Sequence, residues 1–346
     1  MDFLRSKNEF KEMDIWTTKY APTTLDEVIG NRKICTVFKQ FVESRQLPNI
    51  LLTGNHGTGK RTLAKLLAKT YMGPDYTRGC LPIDGAIHRG KDVIACSSSK
   101  KTIDKNTMST ESVLGFAQRR VLLPAGLKKI VMIYNFDDMT GEAQNALRRI
   151  IEICESTTRF ILICNSLDNI IEAIQSRCVP LETNLLTIDE TNSLICSLRA
   201  RNGQADLSPE INRIIAMLSS GDMKKIINFT QTVSSLDHID IETFHSIFNI
   251  PPIKLLEQIL VETLTKDGKV LEMIDFILQQ GYSYSDIIEM LSKILAYETI
   301  IPDEVRFPYL KCLSEYYVNM TQHTHEIHLY AMFADFAAIA RTTLKY

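Results

Sequence analysis

The stretch "NILLTGNHGTGKRT", residues 49–62, decides the fold. An apolar run leads into a glycine loop, and the loop opens a helical pattern. Such a unit aims backbone N–H groups and a positive helix end at phosphate oxygens. Gly54, Gly57 and Gly59 allow the tight path, Thr58 lies within it, and Lys60 adds a point charge where the G-x-x-x-x-G-K pattern needs one. The next position departs from the pattern. A Ser or Thr normally follows the lysine because its hydroxyl binds Mg²⁺, whereas Arg61 has no acceptor to offer. Thr62 carries a hydroxyl, but one helical step rotates it by about 100°. The loop is therefore a phosphate cradle in which nucleotide binding survives and metal-assisted hydrolysis does not.

The other half of such a site is an acid at the end of a neighbouring apolar strand. Here "KIVMIYNFDDM" (129–139) ends its run in Tyr134 and Asn135. A tyrosine is not a metal-binding acid at neutral pH, and an amide orients water without taking its proton. Asp137 and Asp138 follow two residues late. On a continued strand Asp137 points away from Tyr134, so both acids read as turn and helix-start residues.

Working outward, residues 14–183 alternate apolar runs with helical patterns, the mark of a parallel α/β sheet. The expected strands are "NILLT" (49–53), "DVIAC" (92–96), "KIVMIY" (129–134), "RFILICN" (159–165) and "VPLET" (179–183). Beyond residue 183 the strands stop. "TIDETNSLICSLRARNG" (187–203), "LSPEINRIIAMLSSGD" (207–222) and "MKKIINFTQTV" (223–233) read as three helices of a small lid over 184–235. Ser208 is the N-cap of the second, with Pro209 at its first position. After a polar linker (234–240), residues 242–346 are helical by pattern, broken at Pro251-Pro252, Gly268, Gly281 and Pro302.

The chain's 346 residues suffice for two or three domains. A formal net charge of −2 argues against a nucleic-acid binder acting alone, but leaves room for a basic strip within an assembly. The 8 cysteines are scattered without a C-x-x-C pair, which reads as buried thiols in a reducing compartment. No signal-peptide pattern or membrane span is seen, so an intracellular soluble protein is expected. His323, His325 and His328 make the one metal-like spacing. They lack an acid or cysteine partner and read as surface or packing residues, so no metal site is expected.

Several stretches resemble the small subunits of replication factor C, the AAA+ loaders of sliding clamps. "WTTKYAPTTLDEVIGN" (16–31) looks like the family's opening motif, and "AQNALRRIIE" (143–152), "TTRFILICNS" (157–166) and "SRC" (176–178) like its helix, sensor strand and arginine-finger motif. "GDMKKIINFTQ" (221–231) is similar to its lid motif, and "HEIHLYAMFADFAAIA" (325–340) more loosely to the end of its helical collar. The resemblance implies an AAA+ P-loop domain, a three-helix lid and an all-α collar. "GKRT" with "YNFDD" is nearest to the one family member whose own site is inert.

The resemblance further implies bound ATP or ADP, with Arg61 speaking against Mg²⁺. It implies a hetero-pentamer with other AAA+ loader subunits, a PCNA-type sliding clamp and primer-template DNA as partners, and the nucleus, or a cytoplasmic replication site for a virus. Arg177 is then the finger lent to a neighbour's ATP. Asn165 matches the sensor, and Lys224 stands at the lid-arginine position without the bidentate fork. Ala21 replaces an arginine of the opening motif. Lys100, Lys101, Arg119 and Arg120 are the candidate DNA-phosphate contacts, sequence-independent by nature. Two other readings stand beside this one. An active AAA+ ATPase would use Asp137 or a shifted metal geometry. The bacterial delta-prime type of loader subunit shares the S-R-C motif, but carries a four-cysteine module, where only Cys80 and Cys96 lie between the loop and the third strand.

Overall fold

A computed structural model describes residues 15–90, 94, 112–119, 121, 123–124, 126–236, 240–264, 270–297, 301–322 and 325–343. The chain forms two compact units. The first comprises the described residues of Met1–Asp206 with Ser219–Gln231, the second those of Leu207–Leu218 with Thr232–Tyr346.

The first unit is built on a parallel sheet of β1 (Ile50–Gly54), β2 (Cys80–Asp84), β3 (Lys129–Tyr134), β4 (Thr158–Ile163) and β5 (Val179–Thr183), in the order β2-β3-β4-β1-β5. β3 is buried at every position, as a near-continuous apolar run between two helical layers should be. Its side chains alternate between the two faces. Ile130, Met132 and Tyr134 pack with Ile50 and Leu52 against the Arg32–Ser44 and Lys60–Met72 helices. Val131 and Ile133 pack with Phe160 and Leu162 against Leu147 and Ile150 of the Gly141–Ile153 helix.

One expected strand is elsewhere. β2 is Cys80–Asp84, not 92–96. Ile94 is helical, and its neighbours 91–93 and 95–111 lie outside the described residues. Pro82 sits inside β2, opposite Met132. A proline is tolerated because β2 is the sheet's edge, where one row of N–H groups has no ladder to join. Beside it, buried Lys129 holds the end of the short Val113–Gln118 helix, donating from Nζ to the carbonyls of Phe116 (2.9 Å) and Arg119 (2.8 Å).

Helices form at Ile188–Arg201, Pro209–Ser219 and Met223–Ser234. Thr187 and Glu190 make a reciprocal capping box at the first, and Ser208 Oγ accepts from the Ile211 N–H at the second. The second unit is helical throughout its described residues, with breaks at Pro251-Pro252, Gly281 and Pro302. Gly268 lies outside them. Its core stacks Tyr309 on Phe336, ring centroids 4.2 Å apart and 6° from parallel, with the Tyr309 hydroxyl 2.9 Å from Thr263 Oγ1.

Candidate nucleotide-binding site

The glycine loop joins β1 to the Lys60–Met72 helix. Gly54, Gly57 and Gly59 all have positive φ, and two are hemmed in: a Cβ at Gly54 would run into the Thr183 carbonyl, and one at Gly57 (φ 75°) into the Asp222 carboxylate. Met223 N–H donates to the Gly57 carbonyl at 3.1 Å. Thr58 is buried, its hydroxyl 2.9 Å from the Asn55 carbonyl and 2.8 Å from Thr183 Oγ1.

Lys60 is 7% exposed and donates from Nζ to the carbonyls of Gly54 (2.6 Å) and Asn55 (2.7 Å). Burial pulls its ammonium below the ordinary lysine value, and the nearby Asp137 carboxylate works against that shift. Arg61 turns toward the sheet edge. Its Nη2 bonds Asp84 Oδ2 at 3.0 Å, and its guanidinium carbon lies 5.0 Å from the centroid of the Tyr134 ring. Asp84 Oδ1 in turn accepts from Asn135 Nδ2 at 2.9 Å and from the Ala86 N–H at 3.1 Å.

Asp84 escaped the sequence reading, although "CLPID" followed by glycine was a visible signal: an apolar run ending in an acid. The register of β2 against β3 sets Asp84 opposite Tyr134 and so beside Arg61.

Asp137 and Asp138 lie in a turn, as read from the sequence, but Asp137 does not point away from the site as a continued strand would have it. The chain leaves β3 through Asn135 in the left-handed region (φ 48°) and enters a tight turn at Phe136–Asp138. That turn swings Asp137 back to the site, where Oδ2 accepts from the Asn165 N–H at 3.1 Å and Oδ1 is buried without a partner.

The family's metal does not fit these side chains. Mg²⁺ at such a loop keeps several waters and the nucleotide's phosphates, and takes from the protein a loop hydroxyl and a strand-end acid. Arg61 replaces the loop hydroxyl with a positive charge, and both Asp84 oxygens are engaged. The Tyr134 hydroxyl is buried beside Met132 Sδ at 3.9 Å, and burial pushes its ionisation far above neutral pH. Thr62 lines a different wall, that of a cavity of about 160 Å³ shared with Tyr20, Ala21, Ile29, Leu198 and Lys224. Among the described residues, Asp137 Oδ1 remains as a buried carboxylate oxygen without a partner.

Among the other expected residues, exposed Lys224 reaches the cavity from the first turn of the Met223–Ser234 helix, where Asp222 Oδ1 accepts its N–H at 2.8 Å. Asn165 is exposed just past β4. Arg177 follows the Glu172–Gln175 turn of helix, donating from Nη1 to the Ala173 carbonyl and from Nη2 to Glu152 Oε1, both at 2.7 Å. Glu152 was not anticipated. Arg119 is exposed, while Lys100, Lys101, Arg120 and His323 lie outside the described residues. His325 Nδ1 accepts from the Ile327 N–H at 3.3 Å, at the start of the last helix. No helix among the described residues is long and apolar enough to cross a membrane.

A family model for the DNA polymerase III delta subunit matches residues 30–187. The replication factor C small subunit of Sulfolobus acidocaldarius is 31% identical over 86% of this chain and 87% of its own. That of Staphylothermus marinus is 30% identical over 94% and 95%. Replication factor C subunit 4 of Schizosaccharomyces pombe is 30% identical over 86% and 82%.

Solved structures of similar fold include the Thermotoga maritima RuvB Holliday junction branch migration motor, with TM-score 0.51 and 17% identity over 78% of this chain and 90% of that one. The Aeropyrum pernix ORC1 protein in complex with DNA has TM-score 0.50 and 17% identity over 90% and 87%. At such identity these two speak to the AAA+ fold alone. With relatives this similar along nearly the whole chain, and a glycine loop leaving β1 of a five-stranded parallel sheet, the protein belongs to the replication factor C small subunits and is a clamp-loader subunit of DNA replication.

Proposed function

We propose that this subunit does not hydrolyse ATP itself, but shapes a hetero-pentameric loader and lends Arg177 to the γ-phosphate held by a neighbour. The loader places a PCNA-type clamp on primer-template DNA, in the nucleus or at a cytoplasmic viral replication site. The Arg61–Asp84 pair beside Tyr134 carries this reading, since a cation stands where catalysis would need a metal and its ligands. Support for the finger comes from its position: Arg177 is part-exposed on a tight turn, with a permanently charged fork suited to a phosphate across an interface.

The test is native mass and composition of the complex recovered with a tagged chain, followed by ATP turnover of the isolated chain. A hetero-pentamer and no turnover agree with the proposal, whereas a monomer or homo-oligomer sinks it.

One observation favours the active-ATPase alternative. Asp137 Oδ1 is a buried, unpartnered carboxylate oxygen near Lys60, as a base or metal ligand would be. Steady turnover by the isolated chain, lost in both Lys60→Ala and Asp137→Asn, would establish that alternative.

A further inference from the structure

We propose that Arg61 takes the place of the divalent cation, so that this subunit binds a nucleoside di- or triphosphate without Mg²⁺. The inference rests on the glycine loop being a nucleotide site and goes beyond the absence of hydrolysis. It makes the affinity itself independent of metal.

Arg61 is held at the edge of the glycine loop. As the residue after Lys60, it occupies the first turn of the helix whose N-terminus faces the loop. Asp84 fixes one edge of its guanidinium at 3.0 Å, and the Tyr134 ring lies 5.0 Å from its centre. These two contacts orient a planar cation, and among the described residues they engage Nη2 alone of its nitrogens in a bond to a protein acceptor. The remaining N–H groups form a fork suited to donating to phosphate oxygens in pairs. The side chain is 49% exposed, so a ligand can reach it.

Charge balance points the same way. A metal–nucleotide complex needs carboxylates to hold its ion, and the one nearest Arg61 is already neutralised by it. Lys60 at the loop, with Lys224 close enough to act on its charge, and Arg61 one residue on are the cations that a bare polyphosphate would meet and that a metal complex would partly duplicate. Asp84 then acts as a counterweight: it holds Arg61 in place and competes with phosphate for it.

The test titrates the purified full-length chain with a fluorescent ADP analogue in EDTA and in excess MgCl₂. Equal affinity in both buffers is expected, with Arg61→Ala about tenfold weaker in each, as loss of a charge-assisted hydrogen bond implies. Asp84→Asn is expected to bind more tightly than wild type, because it keeps the Asn135 contact and removes the competing charge. Wild-type binding that collapses in EDTA overturns the proposal. So does an Arg61→Ala variant with wild-type affinity, which would leave Lys60 as the sole anchor. No binding in either buffer removes the nucleotide reading itself, a failure distinct from metal dependence.

Discussion

Arg177 Nη2 lies 2.7 Å from Glu152 Oε1, so the proposed finger is tethered within its own chain to the end of the Gly141–Ile153 helix. Both side chains are more than a third exposed, and an ion pair of that kind contributes about 0–1 kcal/mol. Arg177→Ala should therefore leave the urea midpoint almost unmoved. In the assembled loader it should slow ATP turnover at the adjoining site by about a hundredfold or more, as removal of a preorganised transition-state donor does. A turnover rate equal to wild type would leave Arg177 a surface residue.

Asp84 and Arg61 form one pair, but removing either end has unequal cost. Arg61→Ala deletes a part-exposed cation, and a loss below about 1 kcal/mol is expected. Asp84→Ala leaves Arg61, Asn135 Nδ2 and the Ala86 N–H without their acceptor, and should cost about 1–3 kcal/mol. Equilibrium urea unfolding of the two variants checks the order. Equal losses would mean that the Asn135 and Ala86 bonds are immaterial.

Gly57→Ala meets two obstacles. A positive φ costs an alanine about 1–2 kcal/mol, and the new methyl collides with the Asp222 carboxylate. Asp222→Ser should relieve the collision but not the backbone strain, so the double variant recovers part of the stability. Strict additivity of the two substitutions in a double-mutant cycle would mean that the close approach is absent.

His245 gives the helical unit a dependence on pH. It is 9% exposed, with Nδ1 3.2 Å from the Ile250 carbonyl, and burial lowers its pKa below the usual imidazole value. The unfolded chain takes up this proton near pH 6.5, while the folded chain resists it until lower pH. Below about pH 6.5 the unfolded state thus binds more protons, and stability falls with pH by a fraction of the single-proton ceiling of about 1.4 kcal/mol per unit. Urea midpoints of wild type and His245→Gln between neutral and mildly acid pH check this, and parallel curves would exclude His245 as the source.

Much of the architecture was legible because its central strands are near-continuous apolar runs: "KIVMIY" coincides with β3, buried at every position. "VPLET" coincides with β5 as well, although that strand is largely exposed. β2 was missed because an edge strand tolerates Pro82, the residue that disguised it. Within the site, Lys60, Arg61 and the rotation of Thr62 followed from helical geometry. The partners did not. Asp84 and Glu152 reach Arg61 and Arg177 through strand register and helix packing, which no local spacing encodes. Asp137 was misplaced because one left-handed residue, Asn135, ended the alternation on which its orientation depended.

The close approach of Gly57 to Asp222 also has a mechanical side. The loop's carbonyl accepts from Met223, and Asp222 caps the turn that carries Lys224. With no Cβ-sized gap between them, the loop and that turn are packed against each other as one piece. Any change in the path of the loop is therefore felt at the start of the Met223–Ser234 helix.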